Sequence, residues 1–397
     1  MPPLGYSMKD PTLVNHPPAV PVPEDNRPLV APIYQTVKFT FDDVEQTLLN
    51  ERGQRPGYFY SRVSNPTLRQ LEETLARLQG RDACLLTASG VAAVNLTLLA
   101  LCKQSDHVIV FAEMYKPTRA MARRILHRYG VKFSILSIED LQGLEHALQA
   151  EPTRLIVFES PTNPVLKIAD IARITALARA HGALTVLDNT LAGFHNHGQF
   201  DIDLYVHSLT KYASGHGDVM GGAVIGKREL IDSIRGDFIV TGCTLDPHAA
   251  FMIQRGMKTY FVRYQRQCEN ALAVADFLAQ HRQVAQVSYP GAIAHPAHAL
   301  ARTQMKDFGT LVSFEIAGSA AQARTFAESL RLFAIAASLG STDSLVLPPQ
   351  LLQPGDLTRE QRQWSGVTDR TVRLSLGIED AGDLIADLRQ AFEKAAG

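Results

Sequence analysis

Apolar residues along this chain recur with two different periods. Behind Asn65-Pro66, Leu68, Leu71, Leu75 and Leu78 follow helical spacing and Gly80 stands at the exit, which predicts one helix with its start and stop marked. Short β-branched runs then alternate with helical ones: strands at 108–111, 131–136, 155–158, 184–187 and 204–206, helices at 117–129 and 168–180. Strands that read as unbroken apolar runs between helices predict a mostly parallel sheet covered on both faces. From about residue 250 the texture changes to a helical stretch at 252–278, strand-like segments at 310–316 and 371–376, and a last helix from Ala381, the pattern of a smaller α+β domain. Residues 1–30 are rich in proline and carry no apolar period, so they build no core of their own. The expected division is an N-terminal arm at 1–60 lying on a neighbouring subunit, a large α/β domain at 61–250 and the α+β domain at 251–397.

The 397 residues suffice for this arrangement, and 39 basic against 40 acidic residues nearly cancel. No long run of either sign is present to follow a phosphate backbone or hold an anionic membrane, so neither nucleic acid nor membrane is an expected partner. No apolar stretch approaches the ~20 residues of a bilayer span. The first residues lack a charged-then-apolar secretory pattern, and Cys84, Cys102, Cys243 and Cys268 form no CxxC pair. A cytoplasmic protein with incidental thiols is the expectation.

Three strand-like runs end in polar groups: LIVFES before Pro161-Thr-Asn163, LTVLDN before Thr190, and LYVHSLT before Lys211. In an open parallel sheet the ligand crevice lies beyond the carboxyl ends of the strands, so Asn163, Asp188, Ser208, Thr210 and Lys211 are expected to face one cavity. Asp188 follows an apolar run and needs a cationic or hydrogen-bonding partner. Lys211, if desolvated, becomes a nucleophile toward carbonyls. A plain buried salt bridge between the two accounts for them equally well. Ser89-Gly90 opens an apolar helix whose N–H groups and dipole suit a phosphate, although a serine cap is also an ordinary structural device. Lysine, acid and phosphate donors together are the set that pyridoxal phosphate needs.

Taken in order, YSRVSNPT (60–67), SGVAA (89–93), ESPTNP (159–164), DNT (188–190), SLTKY (208–212), GHGD (215–218), RGMKT (255–259), SLG (338–340) and VRLSLGIED (372–380) resemble the motifs of the Cys/Met-metabolism, or trans-sulfuration, enzymes. These are fold-type I pyridoxal-phosphate enzymes, and the likeness runs from about residue 30 to the C-terminus. It implies that Lys211 holds the cofactor as a Schiff base and shuttles protons, that Asp188 keeps the pyridine nitrogen protonated, and that Tyr115 stacks on the ring and acts at the leaving group. It places Asn163 near the ring's 3′ oxygen and Ser89, Gly90, Val91, Ser208 and Thr210 around the phosphate. Tyr60 and Arg62 would reach that phosphate from a neighbouring subunit, in a homotetramer built as a dimer of dimers. Arg373 would clamp the substrate carboxylate in two-pronged fashion, assisted by Ser338 and Asn163. The competing readings are a core aromatic for Tyr115 and a surface strand residue for Arg373.

The chain also departs from the family pattern. Lys116-Pro117 stand where two small residues usually follow the tyrosine, which implies a narrower, more basic mouth. Ala337, before Ser338, offers no acidic partner for the distal ammonium of cystathionine, so methionine, homocysteine and acylated homoserines stay open as substrates. The reading is γ-elimination or γ-replacement on a sulfur-containing or O-acylated homoserine-type amino acid, as in cystathionine γ-synthases and γ-lyases and methionine γ-lyases. Alternatives are β-elimination of the cystathionine β-lyase type and a non-catalytic binding protein on the same fold. His195, His197, His207 and His216 suggest a metal hydrolase, but no carboxylate or thiolate spacing completes a site and no metal is expected.

Overall fold

The computed structural model describes residues 25, 26 and 28–396. Much of the proline-rich stretch expected to lie on a neighbouring subunit, residues 1–24 and Arg27, is outside the described residues. From Tyr34 onward the chain forms one compact unit.

Two sheets organise that unit. The first contains β1 (Ala83–Thr87), β2 (His107–Phe111), β3 (Lys132–Leu136), β4 (Thr153–Glu159), β5 (Leu184–Asp188), β6 (Leu204–Ser208) and β7 (Gly222–Gly226), in the order β1-β7-β6-β5-β4-β2-β3. Its pairs from β6 to β3 are parallel, and only β7 runs antiparallel to its two neighbours. Because β2 and β4–β6 are buried almost throughout, their sequences carry apolar runs and not alternation. The second sheet holds β8 (Val284–Ser288), β9 (Leu311–Ile316), β10 (Ala334–Ile335), β11 (Leu345–Leu347) and β12 (Thr371–Ser375), in the order β10-β11-β12-β9-β8 and mostly antiparallel. A separate apolar core lies beside it, with Phe314, Phe326 and Phe392 packed on one another.

Local chemistry sets the helix ends. Asn65 accepts the Thr67 N–H at 2.9 Å with Pro66 at the first helical position, and Gly80 leaves the helix Pro66–Leu78 with φ +68°. Two expected helices are divided. The stretch 117–129 is a helix Lys116–Arg124 followed by a 3₁₀ turn Leu126–Tyr129, which Gly130 ends at φ +75°. The stretch 252–278 is two helices, Pro247–Met257 and Tyr260–Ala279. Between them the Gly256 carbonyl accepts Arg263 Nη2 at 2.9 Å and the Thr259 N–H at 3.2 Å, which takes it out of the regular ladder.

Beside the carboxyl ends of β5 and β6 lies a buried polar network, in which His197 Nε2 is left without a partner. His207 Nε2–H donates to Gln79 Oε1 (2.8 Å), Asn189 Nδ2 donates to the same oxygen (3.2 Å), and His197 Nδ1–H donates to Asn189 Oδ1 (2.7 Å). Phe194 stacks on His207 at 4.0 Å. Burial holds both imidazoles neutral, with pKa values pushed down to about 3. A base whose folded pKa lies below its unfolded value stabilises the fold above pH ~6.5 and loses that contribution as pH falls toward 3. Each histidine should add a slope of about 1.4 kcal/mol per pH unit in that window. Denaturant titrations between pH 4 and 6 should therefore give a shallower slope for His207→Gln than for the parent, by about one proton. Equal slopes would mean that His207 is not a buried neutral base.

Candidate active site

The strand ends deliver their polar residues to one cavity of about 670 Å³, lined by Asn163 after β4, Asp188 at the end of β5, Ser208 at the end of β6, Thr210 and Lys211 just after it, and Tyr115 after β2. The helix Gly90–Leu101 adds its N-terminus, and Ser338 and Arg373 reach in from the second sheet's side. Sequence reasoning had placed all of these in one site, and the fold brings them together.

Ser89 caps that helix by accepting the Ala92 N–H at 3.1 Å, which leaves the first-turn N–H groups of Gly90 and Val91 without helical acceptors. Gly90 is required by proximity. A methyl there would stand 2.7 Å from Ser208 Cβ and 2.9 Å from Ser208 Cα, so only glycine lets the helix end close on the end of β6. The Thr190 hydroxyl accepts the Ser208 N–H at 2.9 Å and fixes the turn that presents Ser208, Thr210 and Lys211. The result is a cradle of backbone N–H groups and hydroxyls of the kind that holds a phosphate.

Lys211 does not form an ion pair with Asp188, which overturns the salt-bridge reading. Its Nζ donates to Ser338 Oγ at 2.8 Å. Burial, then the Arg373 charge, lower the amine to about 8, against the opposing pull of Asp188. Burial raises the Asp188 carboxyl, and the Thr190 N–H (3.1 Å) and Lys211 pull it back. A cationic ring nitrogen would supply the missing partner.

Arg373 sits in the middle of β12 and is only 3% exposed, so the surface-strand reading fails. Its Nη1 donates to Asn163 Oδ1 (2.8 Å) and its Nη2 to the Ser338 carbonyl (2.7 Å), while Nε is buried without a partner. Burial lowers this guanidinium to about 10. Ser338 holds both cations at φ +110°, a conformation that non-glycine residues keep only where the surroundings enforce it. Tyr115 is 46% exposed on the cavity wall and is not a core aromatic. Burial, then Glu159 and Asp188, raise its phenol.

Tyr60 and Arg62 do not line this cavity. They stack on each other at 5.3 Å, and Arg62 Nη1 donates to the Ile239 carbonyl at 3.1 Å. Several lining groups had no assigned part, Glu159 and Arg119 among them. Glu159, beside Asp188 in the β4–β5 register, accepts the Tyr115 N–H at 2.7 Å and is pushed well up by burial and by Asp188. It follows an apolar run just as Asp188 does, so the same signal marks it. Arg119 also lines the cavity and carried no signal at all. Among the described residues no cluster of three or more His, Cys, Asp or Glu is placed to hold a metal.

The family model "Cys/Met metabolism PLP-dependent enzyme" matches residues 19–393. An L-methionine gamma-lyase of Pseudomonas putida is 42% identical over 372 residues, 93% of each chain. A crystal structure of cystathionine gamma synthase from Xanthomonas oryzae pv. oryzae in complex with aminoacrylate and cysteine superposes with a TM-score of 0.87 at 36% identity, covering 92% of this chain and 93% of that one. A putative O-acetylhomoserine (thiol)-lyase from Campylobacter jejuni gives 0.87 at 32%, covering 92% and 96%, and its structure carries N′-pyridoxyl-lysine-5′-monophosphate. A lysine of lowered pKa, a buried acid and a phosphate cradle converge here as that cofactor requires, and the chain belongs to the Cys/Met-metabolism family of PLP-dependent, fold-type I enzymes.

Proposed function

We propose that this enzyme labilises the Cα–H of a sulfur-containing or O-acylated four-carbon amino acid and then eliminates or replaces its γ-substituent. The observation that carries this is the convergence on Ser338, whose hydroxyl takes Lys211 and whose carbonyl takes Arg373. The amine that removes a proton from Cα thus stands beside the guanidinium that holds the carboxylate on the same carbon. Pyridoxal phosphate, when bound, supplies the electron sink for the carbanion.

Lys211 is a base near neutral pH because burial lowers it to about 8. Asp188 faces the ring nitrogen, and Ser89, Gly90, Val91, Ser208 and Thr210 hold the phosphate. Asn163 orients the Arg373 fork, and Tyr115 covers the ring and moves a proton at the leaving group. The likeness to a methionine γ-lyase supports the γ position. So do the apolar walls Leu339, Leu347, Leu352 and Val367, which suit an uncharged substituent. Tyr60 and Arg62 complete a neighbour's site in a cytoplasmic homotetramer. The first sheet's residues, 61–250, form the cofactor domain and 251–397 the smaller domain.

A panel of methionine, homocysteine, cystathionine, cysteine and acylated homoserines, scored for 2-oxobutanoate against pyruvate, tests the reading. We expect 2-oxobutanoate from at least one four-carbon substrate. Pyruvate alone would assign β-elimination in its place.

A further inference from the structure

One wall of the cavity comes from the connection between β11 and β12, and it is fastened to the first sheet's side by an unusual contact. Leu351, Leu352, Gln353 and Pro354 line the cavity just before Asp356, and Ser365 and Val367 line it after. Asp356 receives a two-pronged bond from Arg119, Nε to Oδ2 and Nη2 to Oδ1, both at 2.9 Å. The side chains are 4% and 16% exposed, so the pair is largely out of water and its geometry is that of a matched fork. Burial would raise the Asp356 carboxyl, but the Arg119 bonds and charge outweigh it and hold it below the usual carboxylate range.

Arg119 has a second set of bonds. Its Nη1 donates to the carbonyls of Ala112 (2.9 Å) and Met114, in the turn that presents Tyr115. Arg123, one helical turn on, donates to the Asp356 carbonyl. Further along the connection, Lys167 Nζ donates to the Trp364 carbonyl at 2.7 Å. One guanidinium therefore ties the Tyr115 turn directly to the neighbouring wall of the cavity.

We infer that Arg119 and Asp356 form a latch that sets the distance between Tyr115 and the 351–367 wall, and that they are positioning residues which determine the length of γ-substituent the enzyme accepts. The inference rests on the γ reading above. With Asp356 changed, Arg119 still holds the Ala112 and Met114 carbonyls and Tyr115 keeps its place. A substituent held by the wall is held equally before and during reaction, so freeing the wall changes KM and leaves kcat in place. A chamber with one wall released loses grip on a short substituent and admits a longer one.

The test uses the holoenzyme with Asp356→Asn, and a series of S-alkyl homocysteines from S-methyl to S-butyl. KM for methionine should rise several-fold with kcat within about twofold, and the kcat/KM ratio of S-butyl to S-methyl substrate should rise about tenfold, the low end of what one methylene in a pocket is worth. The chain has a single tryptophan, Trp364, within this connection. Acrylamide quenching of Trp364 in the cofactor-free protein should therefore increase as well. Arg119→Lys, which keeps the charge and loses the fork, should shift the same ratio in the same direction even if Asp356→Asn does not fold. An unchanged ratio and unchanged quenching, or an equal fall in kcat for every substrate, would overturn the latch. If the product is pyruvate the γ reading fails on its own, and the latch is then scored by the same ratio on S-alkyl cysteines.

Discussion

Lys211→Ala should leave a protein that still takes up pyridoxal phosphate but cannot be fixed to it by borohydride, with turnover reduced about 10²- to 10⁴-fold. Two separable losses make the effect this large. Among the described residues the amine is the only lysine nitrogen lining the cavity close to Asp188 and Ser338, since Lys116 is exposed, so covalent attachment has no substitute there. In the proposed reaction it is also the base that takes the Cα proton, a role its pKa, lowered to about 8, suits. Cofactor retention is expected because the proposed phosphate cradle of Gly90, Val91, Ser208 and Thr210 does not involve Nζ. Mass spectrometry after borohydride reduction checks the first loss, and product formation from the best substrate checks the second. A variant retaining full turnover would remove Lys211 from the chemistry.

How much of this could be read from the chain depended on whether the signal was local. Asp188 and Lys211 each follow an apolar run, and a charge there is costly unless something uses it, so both were legible without a structure. Arg373 was legible through its place between Val372 and Leu374 on a strand with an inward period. Glu159 obeys the same rule as Asp188, but the family motif gave it no part, and its bond to the Tyr115 N–H spans 44 residues. The Arg119–Asp356 fork spans 237, and nothing near either residue announces the other. The fold shows the same divide. The parallel strands announced themselves as apolar runs, whereas β7, Gly-Ala-Val-Ile-Gly, reads as a loop because its glycines exist for close approach: a methyl on Gly222 would stand 2.1 Å from the Ser89 carbonyl oxygen. The break at Lys258-Thr259 depends on Arg263 reaching back to the Gly256 carbonyl, which a periodicity argument does not register.

Arg373→Met should lower kcat/KM at least about 30-fold and yet raise the thermal stability of the cofactor-free protein. The guanidinium is buried, has no carboxylate partner among the described residues, and leaves Nε unbonded, so the protein itself leaves this charge uncompensated. Replacing such a charge with an apolar side chain of similar length relieves that cost, the usual trade between a preorganised site and stability. The substrate carboxylate is the group that would complete the fork, and removing one partner of a buried charged pair costs ~2–5 kcal/mol, about 30- to 5000-fold in kcat/KM. Arg373→Lys keeps the charge but offers no planar pair of donors, so it should fall between the two and recover none of the stability. The substitution to Met has a second consequence at Lys211. Arg373 is the second-largest influence holding that amine down, and without it the Lys211 pKa should rise above 8 while burial still keeps it below an exposed lysine. The rate of reductive methylation of Lys211 against pH, measured in cofactor-free protein, reads this directly. An unmoved Lys211 titration would show that the two cations are screened from each other, and a lowered melting temperature would show that Arg373 is a structural residue and not a charge held in wait for a carboxylate.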